Sequence, residues 1–161
     1  MLPDRLYESE LFMIIDFNLH PKLGEGVYAH VFHIGDKAYK LFLAHPSHHS
    51  EEKRRSTFRS ECEAYRRASS DPDLKNHVAT FYGTCAVDDV IGGDGQSTYM
   101  SDCCYVIEAL SGSNNNAFSH VYDSYFVFRE KGLNLSDADV FNYEDPGRFK
   151  FIDFEVAEKQ A

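Results

Sequence analysis

Positive charge is what this chain is short of: Lys and Arg number 16 against 26 Asp and Glu, a net charge of −10 with histidine neutral. Nucleic-acid binding rests chiefly on cationic side chains that neutralise phosphates, so a nucleic-acid partner is not expected. The one basic cluster, Lys53, Arg54, Arg55, Arg59, Arg66 and Arg67, falls mostly within one helical segment and reads as a solvated helix face. Cys-x-x-Cys spacing is also missing. The cysteines are Cys62, Cys85, Cys103 and Cys104, and they read as reduced core thiols of a reducing compartment rather than as disulfides.

No basic stretch followed by an apolar one opens the sequence, and residues 11–17 are too short and too acidic to be a signal or a membrane span. The expectation is a protein with no membrane partner, cytoplasmic or delivered as an effector by a route other than Sec. Internal repeats are absent. His45, His48 and His49 lack a fourth ligand at metal spacing and read as a surface loop. Asp88, Asp89 and the run Gly92-Gly93-Asp94-Gly95 lack the alternating acids and terminal glutamate of a calcium loop, and read as the loop of a hairpin.

What is present is a substantial apolar complement, 43% hydrophobic and 14% aromatic over 161 residues. This suits one α+β domain of two unequal lobes, a sheet lobe over about residues 12–112 and a smaller helical one over about 113–161. Leu23-Gly24-Glu25-Gly26-Val27-Tyr28-Ala29-His30-Val31 reads as strand, Gly-rich turn and strand, with Gly24 and Gly26 letting the backbone approach a triphosphate. The run from Asp36 to Phe42 alternates as a strand after the turn signal Gly35-Asp36 and carries Lys40 in its middle, where a cation reaches phosphates.

Residues 50–69 read as a helix, with Glu51 and Glu52 in the first turn and Phe58, Cys62 and Tyr65 on one face. Glu61 lies beside that face within reach of Lys40, whereas Glu63 points about 160° away. A second helix over 117–131 carries Phe118, Val121, Tyr122, Tyr125 and Phe128 at helical spacing. Its aromatics either fill the small lobe or meet a partner or a second copy of the chain. Between the lobes, residues 111–116 read as a polar linker.

Asp137, Asn142 and Asp153 complete the pattern: an acid, an amide five residues on and a second acid eleven beyond that. Kinase-like phosphotransferases place a base and two magnesium ligands at this spacing. Asp153 falls in a strand-like run in which Phe149 and Phe151 share its face.

From about residue 21 to 157 the chain resembles the protein-kinase-like superfamily, through LGEGVYAHV, AYKLF, FRSECEAY, NHVATFYG, YVIEAL, LSDADVFN and FIDFE in family order. The resemblance implies an abbreviated kinase-like fold, with an antiparallel-sheet N-lobe, one glutamate-bearing helix and a much reduced helical C-lobe. It implies ATP and Mg2+ as cofactors: Gly24 and Gly26 cradling phosphates, Lys40 on the α- and β-phosphates, Glu61 pairing with Lys40, and the Glu108 to Leu110 backbone at the adenine edge behind Ile107. Asp137 would be the catalytic base, with Asn142 and Asp153 on the metal.

Several positions depart from the family pattern. Ala29 stands at the third glycine, Leu135 and Ser136 replace the His-Arg before the catalytic acid, and the sequence reaches Ala161 soon after Asp153. Asp153-Phe154-Glu155 resembles the choline kinase and aminoglycoside phosphotransferase branch, whose substrates are small molecules; the size resembles minimal bacterial effector kinases. The acceptor therefore stays open between a protein hydroxyl and a small molecule. The alternative is a pseudokinase-like module that binds nucleotide or docks a partner without catalysis.

Overall fold

The structure, a computed structural model, describes residues 12–16, 22–25, 28–44, 50–91, 99–110, 113–114, 119–135, 138–142 and 149–157. For 12–16, 22–25, 87–91, 113–114, 119–122 and 139–142 it describes the backbone alone. The architecture is α+β. Backbone contacts divide the chain into two units, Met1–Phe58 with Tyr82–Glu108 and Arg59–Phe81 with Ala109–Ala161.

A six-stranded sheet dominates the first unit: β1 (Phe12–Asp16), β2 (Lys22–Glu25), β3 (Ala29–Ile34), β4 (Lys37–Leu43), β5 (Phe81–Ile91) and β6 (Tyr99–Glu108), in the order β1-β5-β6-β4-β3-β2. The pairs β2/β3, β3/β4 and β4/β6 are antiparallel. Edge strand β1 instead runs parallel to β5. That pairing joins residues far apart in sequence, so no local turn signal announces it.

Hairpin β3–β4 forms for a local reason. Gly35 has φ 65°, the left-handed value required at the first central position of a two-residue hairpin turn. Alternation then sends Phe32 and Leu41, both fully buried, into a cluster with Cys104 and Tyr99, against which Cys85 packs. His30 joins Tyr99 there by a 2.6 Å bond between Nδ1 and the phenol oxygen. Phe42 and Tyr105 instead meet Phe58 of helix α1 (Glu51–Ser70), at ring separations of 5.5 and 6.4 Å.

Ser50 caps α1 by accepting the Lys53 N–H at 3.1 Å. Arg54 corrects the reading of the basic cluster as a solvated face: it is 2% exposed. Its Nε donates to the Leu43 carbonyl at 2.7 Å and Nη2 to the Ala44 carbonyl at 3.1 Å. Those carbonyls lie at and just past the end of β4, so the guanidinium serves to hold the chain where it leaves the strand. Asp88 and Asp89 lie in β5 rather than in a hairpin loop.

The second unit takes α1 from Arg59 onward, a short 3-10 helix at Lys75–His77, helix α2 (Ser119–Glu130), and strands β7 (Ser113–Asn114), β8 (Leu133–Asn134), β9 (Asp139–Asn142), β10 (Phe149–Ile152) and β11 (Glu155–Val156). The strands form a β10-β9-β7 sheet and a β11-β8 pair. Part of the expected linker is thus strand β7.

Rings fill this unit. Tyr65 stacks on Phe81 at 5.4 Å and meets Phe154 at 4.7 Å; Phe128 meets Phe151 at 5.3 Å and Phe154 at 6.0 Å. Gly132, with φ 82°, stops α2 in the left-handed conformation usual after a helix end. Its carbonyl accepts the Ala157 N–H at 2.8 Å. On α2, Phe128 is 1% exposed while Phe126 is 57% exposed, so the aromatic helix divides between core and surface.

Candidate functional site

In the first unit the register brings Gly24 and Lys40 into one row. Gly24 lies opposite Val31, Val31 opposite Lys40, and Lys40 opposite Tyr105. Two strand spacings, about 10 Å, separate Gly24 from Lys40. The Lys40 ammonium lies 5.3 Å from the Phe42 ring centre and 5.7 Å from that of Tyr105, where the ring quadrupoles favour a cation.

Ile107 and Glu108 continue β6 opposite Ala38 and Lys37, with Ile107 at 5% exposure. Glu108 therefore sits three positions along the ladder from the Lys40 row. Gly26 lies outside the described residues.

In the second unit Glu61 is 5% exposed. Its side chain is a buried carboxylate, which must be compensated to be tolerated, and among the described residues no buried side-chain N or O lacks a hydrogen-bond partner. Leu110 follows the end of β6 as half-buried backbone without regular structure.

Asp153 departs from its expected strand. The strand ends at Ile152, and Asp153 turns with φ 61°, the one non-glycine residue at positive φ among those described. The Tyr65 hydroxyl accepts its backbone N–H at 3.4 Å, and Phe154 after it is 1% exposed between Tyr65 and Phe128. Two rings distant in sequence thus fix the turn that re-aims the acid.

The β9–β10 register sets Asn142 opposite Phe149 and Asp139 opposite Ile152. Asn142 therefore lies at the hairpin end away from Asp153, about 13 Å at the rise of a strand residue. Asp139 pairs with Ile152, the last strand residue before Asp153. Asp137, the expected base, and His45, His48 and His49 lie outside the described residues.

Sequence spacing alone missed Tyr65 as the acceptor at the motif turn, though its place one helical turn after Glu61 was a signal. Nor does spacing choose between two pairing registers, so the pairing of Asp139 with Ile152 carried no sequence signal. Among the described residues, no three His, Cys, Asp or Glu side chains gather as a metal-ligand group. No described helix is long and apolar enough to cross a membrane.

No protein-family model matches the sequence, and a search of curated proteins finds no significant relative.

Proposed function

We propose that the chain is a magnesium- and ATP-dependent phosphotransferase of minimal kinase-like fold, acting on a hydroxyl of a protein or small molecule. The observation that carries this reading is the turn Ile152-Asp153-Phe154, an acid at φ 61° followed by a phenylalanine 1% exposed. Left-handed non-glycine residues cost of order 1 kcal/mol and persist where their surroundings impose them, often at functional sites. In kinase-like enzymes the acid of this motif binds metal, and the packing of its phenylalanine separates active from inactive arrangements. Chain order agrees as well: hairpin β2–β3, lysine strand β4, glutamate helix α1, strands β5 and β6, and hairpin β9–β10.

In this reading phosphates lie at Lys40 and a hard cation at Asp153, while the β9–β10 register pairs the backbone of Asn142 with Phe149. When bound, magnesium would neutralise charge on the β- and γ-phosphates. In this reading Lys40 holds the α- and β-phosphates and Asp137 aligns the acceptor hydroxyl for in-line attack.

A second reading draws on Leu135, a buried side chain at 3% exposure where protein kinases carry a histidine that braces the catalytic loop. It favours a module that binds nucleotide without turnover. Titration calorimetry with ATP, with and without magnesium, on wild type, Lys40→Ala and Asp153→Asn tests both readings beside phosphate-release measurements. The enzyme reading expects magnesium-dependent binding with release, lost in both variants. Binding without release supports the module, and equal affinity throughout overturns the role of Asp153.

A further inference from the structure

Two of the four thiols meet. The sulfurs of Cys85 on β5 and Cys104 on β6 are 3.4 Å apart, on strands that are neighbours in the sheet. Cys104 is fully buried beside Leu41, whereas Cys85 is half-buried and packs on the edge of that cluster. The other two thiols are each 2% exposed and face elsewhere. Cys103, adjacent to Cys104 on the strand, points to the opposite sheet face, where its Sγ lies 3.4 Å from Arg55 Nη1; Cys62 is on α1.

We infer that Cys85 and Cys104 are a redox-active thiol pair that closes to a disulfide between β5 and β6 when hydrogen peroxide reaches Cys85. The thiolate of Cys85 attacks one peroxide oxygen. The O–O bond breaks, hydroxide departs and is protonated to water, and Cys85 becomes a sulfenic acid. The Cys104 sulfur then attacks the Cys85 sulfur, the S–O bond breaks, and hydroxide leaves with the Cys104 proton as a second water. Two thiols supply two electrons, and one peroxide is reduced to two waters.

Three features favour this pair. The sulfurs already lie 3.4 Å apart on neighbouring strands, against about 2.0 Å in a disulfide. Exposure gives an order of events, since the accessible thiol meets the oxidant and the fully buried one resolves it. The Cys104 thiol also lowers the Cys85 thiol below its ordinary pKa by hydrogen bonding, while burial works against this. This site is independent of any nucleotide reading.

The test treats the reduced full-length chain with hydrogen peroxide, blocks free thiols with iodoacetamide and maps peptides under non-reducing conditions. A Cys85–Cys104 linked peptide, reversed by dithiothreitol, is expected, with Cys62 and Cys103 recovered as alkylated thiols after unfolding. In Cys104→Ala, Cys85 should become the main dimedone-labelled site, a product absent from wild type. Cys103→Ala should leave the linked peptide intact. Cys85 accumulating as sulfenic or sulfinic acid in wild type, or a link to Cys62, to Cys103 or between two chains, would overturn the inference. The wild-type map decides by itself if a variant fails to fold.

Discussion

Lys40 and Asp153, the two candidate phosphate-handling residues best described, are held by different means. Lys40 sits in mid-strand between Val31 and Tyr105, in a ladder of main-chain hydrogen bonds. Asp153 sits just past a strand end at φ 61°, its turn set by Tyr65, Phe128 and Phe154. A ladder distributes the work over many backbone groups, and loss of one side chain leaves it standing. A turn fixed by rings depends on each ring.

The sharpest way to break this contrast is to remove one side chain from each region. Phe154→Ala should cost about 3–5 kcal/mol, because a fully packed ring is replaced by a cavity among Tyr65 and Phe128. Val31→Ala, beside Lys40 and half-buried, should cost about 1 kcal/mol. Urea denaturation of both variants measures this. Comparable losses would show that the ladder depends on its side chains as much as the turn does.

That difference also decides how much was legible in the sequence. Strand β4 and its lysine follow from alternation and from Gly35, which are local signals; helix α1 at Glu51–Ser70 lies within one residue of its expected span of 50–69. The left-handed Asp153 was not legible. Its conformation is imposed by Tyr65 and Phe128, which are far away in sequence and carry no local mark. The register around Asn142 was not legible for a related reason: a spacing of eleven residues to Asp153 is compatible with more than one hairpin register, and the pairing of Asn142 with Phe149 selects one. Arg54 read as solvated because its partners, the Leu43 and Ala44 carbonyls, are backbone groups that no side-chain pattern reveals.

A second experiment asks how much strain the turn holds. With φ at 61°, glycine at this position relieves the clash of Cβ with the backbone and alanine does not. Asp153→Gly should therefore be more stable than Asp153→Ala by about 1–2 kcal/mol, although both lose magnesium-dependent ATP binding if the proposed function holds. Thermal unfolding of the two, without metal, gives the difference. Equal stabilities would mean that the turn relaxes when the acid is removed, and that the rings do not dictate its backbone.

The smallest effects belong to surface ion pairs, which both regions carry among the described residues. In the sheet unit Arg55 donates from Nη1 to Asp102 and from Nε to Glu51, each at 2.9 Å. The Asp102 carboxyl is held below its ordinary pKa chiefly by the hydrogen bond from Arg55. In the motif unit Lys131 lies 2.9 Å from Asp71 and lowers that carboxyl likewise, chiefly by its hydrogen bond. A carboxyl with a depressed folded pKa stabilises above its unfolded value, about 3.9, and the gain is lost as pH falls through the folded value. Asp102→Asn should then cost about 0.5 kcal/mol at neutral pH, since Asp102 is 65% exposed and well screened. Asp71→Asn should change stability in the same direction. For both, the gap from wild type should narrow as pH falls below about 4 and should shrink with added salt. Denaturation curves at neutral and acid pH measure it. A gap that persists unchanged at acid pH in one unit alone would show that its carboxylate acts through packing there, and would extend the contrast between ladder and ring cluster to the surface.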